Sequence, residues 1–156
     1  MSDKKLISRI FVFSQFALAF IVISSSLMEN FLTERPPIAI LKIISIAFLV
    51  LGIVIVLVAL FTFRQSITPN PIPLDNARLR TKGIYGLIRH PMYSSVIFFL
   101  IGFSLFEKAY FSFLLNIGAI IFLTIKIKFE EKQLIEKFPE YKIYQSKTKK
   151  LIPFIY

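Results

Sequence analysis

Long stretches without charge dominate the pattern of hydrophobic and polar positions along this chain. Residues 10–28 carry no charge, and residues 38–63 carry only Lys42, near one end. Within the second stretch, the uncharged run from Ile43 to Phe63 has 21 residues. As an α-helix such a run is about 30 Å long, which matches the hydrocarbon core of a bilayer. The pattern therefore predicts two membrane-spanning helices in the first half of the chain.

Two shorter apolar stretches follow, at residues 92–106 and 109–125, and only Glu107 and Lys108 separate them. This spacing predicts a tight helical hairpin, which either crosses the membrane fully or re-enters on one side. We predict an all-α fold in one domain (residues 1–156), an integral membrane bundle of about four transmembrane helices with a cytosolic helical C-terminal extension. The spans are expected at about 10–28, 38–63, 91–106 and 109–127, with a cofactor-binding loop at 64–93 and a tail at 126–153.

Composition supports the membrane interpretation. Hydrophobic residues make up 56% of the chain and charged residues 18%, below the roughly 25% usual for soluble domains. A soluble domain of 156 residues cannot bury so much apolar surface, so the surplus is expected to face lipid. The absence of cysteine and the single histidine, His90, exclude disulfides, thiolate nucleophiles and a multi-histidine metal site within one chain.

The net charge of +10 is unevenly distributed. The N-terminal residues, the central loop and the tail from Lys126 onward hold 16 of the 19 basic residues. By the positive-inside rule both termini and the central loop are cytosolic, in the inner membrane if the source is prokaryotic. We expect a multi-pass protein whose partner is the lipid bilayer, with no nucleic acid and no metal. A cleaved signal peptide is an alternative for the first stretch, disfavoured because a full membrane topology follows.

The segment 79–93 is the first of two that concentrate polar residues. Pro91 suits the first turn of a helix, so the third helix is predicted to begin there. Its free N–H groups and positive dipole end would form an anion site beside Arg89 and His90. Gly83 and Gly86 flank a tyrosine and permit a tight turn. The alternative is an ordinary interfacial belt of Tyr, Arg and His, which needs no ligand.

The second polar segment, 126–144, continues the fourth helix out of the bilayer, and Pro139 is predicted to end that helix. Lys126 and Glu130 are four residues apart on one helical face, and Glu131 follows. The two carboxylates are suited to an ammonium group, although a solvated Lys–Glu pair is the alternative. An anion site, aromatic faces and carboxylates together fit a zwitterionic cation such as S-adenosylmethionine.

These two segments resemble the isoprenylcysteine carboxyl methyltransferase and phospholipid methyltransferase superfamily of integral membrane enzymes. The resemblance covers roughly residues 68–153. Its matching residues are Gly83, Ile84, Tyr85, Arg89, His90, Pro91, Met92, Tyr93, Glu130, Glu131, Leu134, Phe138, Tyr141, Tyr144, Ile152 and Pro153.

The resemblance implies methyl transfer from S-adenosylmethionine to a lipid-like or amphiphilic acceptor. It also implies a set of cofactor-binding residues, namely Ala77, Arg78, Leu79, Arg80, Gly83, Tyr85, His90, Pro91, Met92, Tyr93, Glu130 and Glu131. Lys126 stands where the carboxyl methyltransferase branch has a substrate-contacting arginine. Lysine cannot grip a carboxylate bidentately, so this departure leaves the acceptor open.

No catalytic residue is assigned, because alignment of an activated methyl donor with its acceptor can carry the reaction. His90 is favoured as a cofactor contact over a general base. Two alternatives to an isoprenylcysteine carboxyl methyltransferase-like enzyme stay open, a phospholipid amine N-methyltransferase and a non-catalytic membrane scaffold protein. The membrane sterol reductases share part of the scaffold but are much longer and use NADPH.

Overall fold

A computed structural model of the chain describes residues 2–33, 35–63, 70–73 and 79–156. Helices account for most of these ranges, and a short 3₁₀ turn at Gly83–Gly86 precedes the third of them. The α-helices in chain order are α1 (Ser2–Thr33), α2 (Ala39–Phe63), α3 (Pro91–Phe106), α4 (Tyr110–Lys137) and α5 (Tyr141–Lys147).

The helices confirm the predicted membrane bundle. Among the described residues three segments are long and apolar enough to cross a membrane, at Asp3–Thr33, Ala39–Thr62 and Tyr110–Lys137. Helix α3 is also apolar, but it has 16 residues and is about 24 Å long, which is shorter than the hydrocarbon core. Helices α1 and α4 extend well past the predicted spans because helical structure continues into their charged ends.

The α2–α3 pair is the closest helix packing in the bundle, and glycine makes it possible. A Cβ atom at Gly102 would lie 2.9 Å from the backbone N of Leu49 and 3.0 Å from the Cβ of Phe48. Small residues let helix backbones approach in this way, and the approach replaces the hydrophobic driving force that lipid does not supply. The rings of Phe48 and Phe98 then meet at 5.5 Å between centroids.

Helix α1 packs on α3 and α4 through aromatic rings in its N-terminal half and through polar side chains nearer its C-terminal end. The Phe11 ring lies 5.3 Å from that of Phe129. Deeper in the bundle, the Ser26 and Ser104 hydroxyl oxygens are 3.1 Å apart, and the Asn116 amide donates to the Ser104 hydroxyl at 3.0 Å. These polar groups therefore bond across helices instead of facing lipid.

Glu29, near the C-terminal end of α1, holds the hairpin turn between α3 and α4. Its carboxylate accepts the backbone N–H groups of Phe111 and Ser112 at 3.0 and 3.1 Å, in the first turn of α4. A negative charge at a helix N-terminus is favourable because it satisfies unpaired N–H groups and opposes the helix dipole. Arg35 donates to the same carboxylate at 2.7 Å and so completes the contact.

We expect Gly102→Ala to lower stability by about 1–3 kcal/mol, because the added methyl group overlaps backbone and side-chain atoms of α2. Gly118→Ala is the matched control, since a Cβ there meets nothing within 4 Å. Thermal unfolding of both variants in one detergent checks the prediction. Equal melting temperatures for the two variants would show that α2 and α3 do not depend on this close approach.

Candidate active site

The C-terminal tail fixes the segment that leads into α3. Arg89 N–H donates to the Lys149 carbonyl at 2.8 Å, and His90 N–H donates to the Lys150 carbonyl at 3.1 Å. Proline at position 91 begins α3 as predicted, and His90 is the N-cap residue. The start of α3 is therefore held by a chain segment about 60 residues away in sequence, which sets the position of both Arg89 and His90.

Glu131 accepts hydrogen bonds from several side chains at once. Arg89 Nε lies 2.8 Å and His90 Nε2 3.2 Å from Glu131 Oε1, and Gln145 Nε2 donates to Oε2 at 3.1 Å. Arg89 Nη1 also donates to the backbone carbonyls of Gln145, at 3.1 Å, and Thr148. The Arg89 and Glu131 side chains are both buried. The Glu131 carboxylate thus links the start of α3, α4 and the tail through hydrogen bonds.

The neighbouring carboxylate of Glu130 has different surroundings. Its side chain is 24% exposed, it accepts one hydrogen bond from the Tyr93 hydroxyl at 2.7 Å, and it lies 4.0 Å from His90 Nδ1. A carboxylate has about four acceptor positions, so within the described residues most of the hydrogen-bonding capacity of Glu130 is unused. Of the two adjacent glutamates, Glu130 therefore has more acceptor positions left among these residues.

Three tyrosines pack beside this pair. The Tyr144 hydroxyl donates to the Tyr85 carbonyl at 2.5 Å, and the Tyr141 ring meets the Tyr144 ring edge-on at 5.4 Å. Burial raises the pKa of Tyr144 to about 12 and raises the pKa of Tyr85 and of Tyr141 as well. All three phenols therefore keep their protons at neutral pH, and Tyr144 uses its proton in the bond to the Tyr85 carbonyl.

Two buried polar atoms near the cluster have no hydrogen-bond partner in the described part of the chain. They are the hydroxyl of Tyr141, whose side chain is 2% exposed, and Nε2 of Gln133, three residues after Glu130 on α4. A buried donor without a partner costs about 1–3 kcal/mol, so such atoms are rare in folded proteins. Both atoms are accounted for if a polar ligand binds here.

Lys126 lies one turn before Glu130 and is completely buried. Its ammonium group donates to Gln15 Oε1 on α1 and lies 5.2 Å from the centroid of the Tyr93 ring. The cation thus faces the interior of the bundle, between α1 and the ring that bonds Glu130.

The family model of isoprenylcysteine carboxyl methyltransferases (ICMT) matches residues 44–136, more than half of the chain. The matched range includes His90, Tyr93 and Glu130. The chain belongs to the isoprenylcysteine carboxyl methyltransferase family. This confirms the resemblance and supports a membrane methyltransferase. No curated protein matches the chain.

The structure brings together only part of the site that the family resemblance implied. His90, Tyr93, Glu130 and Glu131 form one hydrogen-bonded cluster. Gly83, at φ +63°, opens the turn that carries Tyr85 to the edge of this cluster. Of the other residues expected to bind the cofactor, Pro91 is buried, Met92 and Leu79 are half-buried, and Arg80 is exposed. Ala77 and Arg78 lie outside the described residues.

Several contacts of the site were not assigned from the sequence. Arg89 was expected beside an anion site, and both Arg89 and Tyr141 stand within the segments that resemble the family, but neither was counted among the cofactor-binding residues. Gln145 and Gln133 have no motif, and Gln15 lies in an apolar stretch 111 residues from its lysine partner. Only the packing of α1 on α4 and of the tail on α3 reveals these three.

Glu131→Gln is expected to lower the melting temperature by about 5–10 °C, which corresponds to roughly 3 kcal/mol. The substitution leaves Arg89 buried without its counter-charge while keeping the shape of the side chain. Glu140→Gln, an exposed glutamate at the start of α5, is the matched control and should leave the midpoint unchanged. A Glu131→Gln midpoint equal to that of the control would contradict a stabilising role for this ion pair.

Proposed function

We propose that this protein is an S-adenosylmethionine-dependent methyltransferase that acts on a lipid-like or amphiphilic acceptor at the membrane surface. The proposal rests on the Glu130 carboxylate, which is partly exposed, and on the buried Tyr141 hydroxyl near it. Among the residues that the structure describes, the carboxylate accepts one hydrogen bond and the hydroxyl has no partner. Membership of the family supports a methyltransferase, and this cluster supplies groups that suit the cofactor.

The residues present fit S-adenosylmethionine. Glu130 would hold the ammonium of its methionine end, and Tyr141 and Gln133 would gain the partners that they lack. The faces of Tyr85 and Tyr93 would stabilise a sulfonium by cation–π attraction. His90, Pro91 and Met92 would lie near the carboxylate at the start of α3, and Gly83 and residues 77–80 would line the remainder of the pocket.

Bound S-adenosylmethionine supplies a methyl group already activated by its sulfonium. The work left to the protein is to orient the acceptor and to exclude water. Glu131 would contribute indirectly, because its bonds to Arg89 and His90 set where His90 stands relative to Glu130. An amine or hydroxyl acceptor would in addition need to lose a proton, whereas a carboxylate would not.

The class of methyl acceptor depends on whether Lys126, the expected substrate contact, binds it. A carboxylate acceptor, as in an isoprenylcysteine carboxyl methyltransferase-like reaction, would approach this cation and compete with Gln15 for it. The Lys126 ammonium already donates to Gln15, which makes it less available to a carboxylate. Phospholipid amine N-methylation, which needs no such cation, is therefore the second candidate. Both acceptors reach the site laterally from the bilayer, with both termini and the site on the cytosolic side, in the inner membrane if the source is prokaryotic.

Calorimetric binding of S-adenosylmethionine and S-adenosylhomocysteine to detergent-purified protein tests the proposal. We expect Glu130→Gln to weaken binding about 10–100-fold, because the ammonium loses a charged partner worth about 1.5–3 kcal/mol. Glu140→Gln, exposed and removed from the cluster, should bind as the wild type does.

Absence of binding by folded wild-type protein, in lipid as well as in detergent, would contradict the enzyme proposal and favour a non-catalytic scaffold. Where binding is found, transfer of radiolabelled methyl groups to prenylcysteine analogues or to phospholipid amines separates the two acceptor classes. Gln15→Ala, which removes one acceptor that competes for the Lys126 ammonium, should raise methylation of a carboxylate acceptor and leave that of an amine unchanged.

A further inference from the structure

A cavity of about 290 Å³ lies at the end of the bundle where α1 and α3 end and α2 and α4 begin. It opens between the start of α2 and the turn that joins α3 to α4. Helix α4 begins beside it at Tyr110, and Glu130 follows 20 residues later, about 30 Å along the helix. The cavity is therefore separate from the candidate active site.

Glu107, in the α3–α4 turn, lines this cavity with a half-buried carboxylate. Oε2 accepts a hydrogen bond from the Asn30 amide at 2.8 Å. Within the described part of the chain Glu107 accepts this one hydrogen bond and forms no ion pair, so the other acceptor positions of its carboxylate are unused there. Such a carboxylate is suited to a ligand that carries an ammonium group.

Two cations line the same cavity. Lys42, in the first turn of α2, is exposed and has no ion pair among the described residues. Lys108 donates to the Arg35 carbonyl at 2.6 Å and likewise has no carboxylate within ion-pair distance there. Among the described residues, two further charged groups at this end, Glu29 and Arg35, form an ion pair with each other at 2.7 Å. The cavity wall thus offers two positive groups and one negative group.

The apolar part of the wall indicates a lipid. Ile38 and Phe106 line the cavity and are 48% and 42% exposed on the outside of the bundle, so the cavity continues onto a surface suited to acyl chains. We propose that this cavity binds the headgroup of a phospholipid with a primary ammonium, its phosphate at Lys42 and Lys108 and its ammonium at Glu107. Phosphatidylethanolamine has this chemistry. A choline headgroup has no N–H to donate, and a glycerol headgroup has no cation.

Native mass spectrometry of the whole protein with equimolar phosphatidylethanolamine, phosphatidylcholine and phosphatidylglycerol of identical acyl chains tests the proposal. Wild-type protein should retain phosphatidylethanolamine at least about fivefold over each of the others. Glu107→Gln, which keeps an acceptor for Asn30, should remove the preference over phosphatidylglycerol. Lys42→Gln should reduce retention of both lipids, because both present a phosphate to that cation.

Lys5→Gln is the matched control, since it removes the same charge at the opposite end of the bundle and should change nothing. Equal retention of the three lipids by the wild type, or unchanged selectivity in Glu107→Gln, would overturn the proposal. Soluble phosphoethanolamine that competes as well as the lipid does would overturn the role of the acyl chains. Melting temperatures without added lipid verify folding, and calorimetric S-adenosylmethionine binding should be the same in all variants.

Discussion

The buried ion pair between Arg89 and Glu131 is the interaction on which the rest of the candidate site depends. It joins three parts of the chain, the entry to α3, the end of α4 and the tail, and two backbone carbonyls of the tail complete the coordination of the guanidinium. Removing two charges from water is costly, and the additional hydrogen bonds that both ions form offset that cost. Here those bonds also determine where His90 and the first turn of α3 stand.

This arrangement gives the adjacent glutamates separate tasks. Consecutive residues on a helix point about 100° apart, so Glu131 turns toward Arg89 while Glu130 turns toward Tyr93. The Glu131 carboxylate links α4 to Arg89 and the tail, whereas the Glu130 carboxylate accepts a bond from Tyr93. The same logic applies along α4, where Lys126 faces α1 and Asn116 faces α3, each with a polar partner inside the bundle. A membrane helix with this many polar groups must find a protein partner for nearly all of them.

Features governed by local chemistry were predictable from the sequence. The start of α3 at Pro91, the turn at Glu107 and the end of α4 before Pro139 follow from the backbone limits of proline and from charge between apolar runs. The family motif likewise singled out His90, Tyr93 and Glu130, which the fold brings together. The full length of α1 was not predictable in this way, because its charged ends do not distinguish helix from loop.

Contacts between distant residues were beyond the sequence alone. No sequence pattern pairs Gln15 with Lys126, or the tail carbonyls with Arg89, because such contacts depend on how the helices pack. Equally, the different hydrogen-bond partners of Glu130 and Glu131 could not be read from the sequence, because the direction of each side chain is set by the rotation of α4 within the bundle. The sequence alone was enough to infer which chemical groups lie at one membrane surface. The fold was needed to show which partners each of these groups binds.

The contact between the tail and the entry to α3 has a consequence for biosynthesis. Ribosomes make residues 145–151 after all four membrane helices, so α1 to α4 can enter the bilayer while Arg89 still lacks the carbonyls of Gln145 and Thr148. Membrane insertion and maturation of the site are thereby separate events in time. A nascent chain halted between them would have its helices in the membrane but would lack the backbone contacts that position Arg89 and His90 at the start of α3.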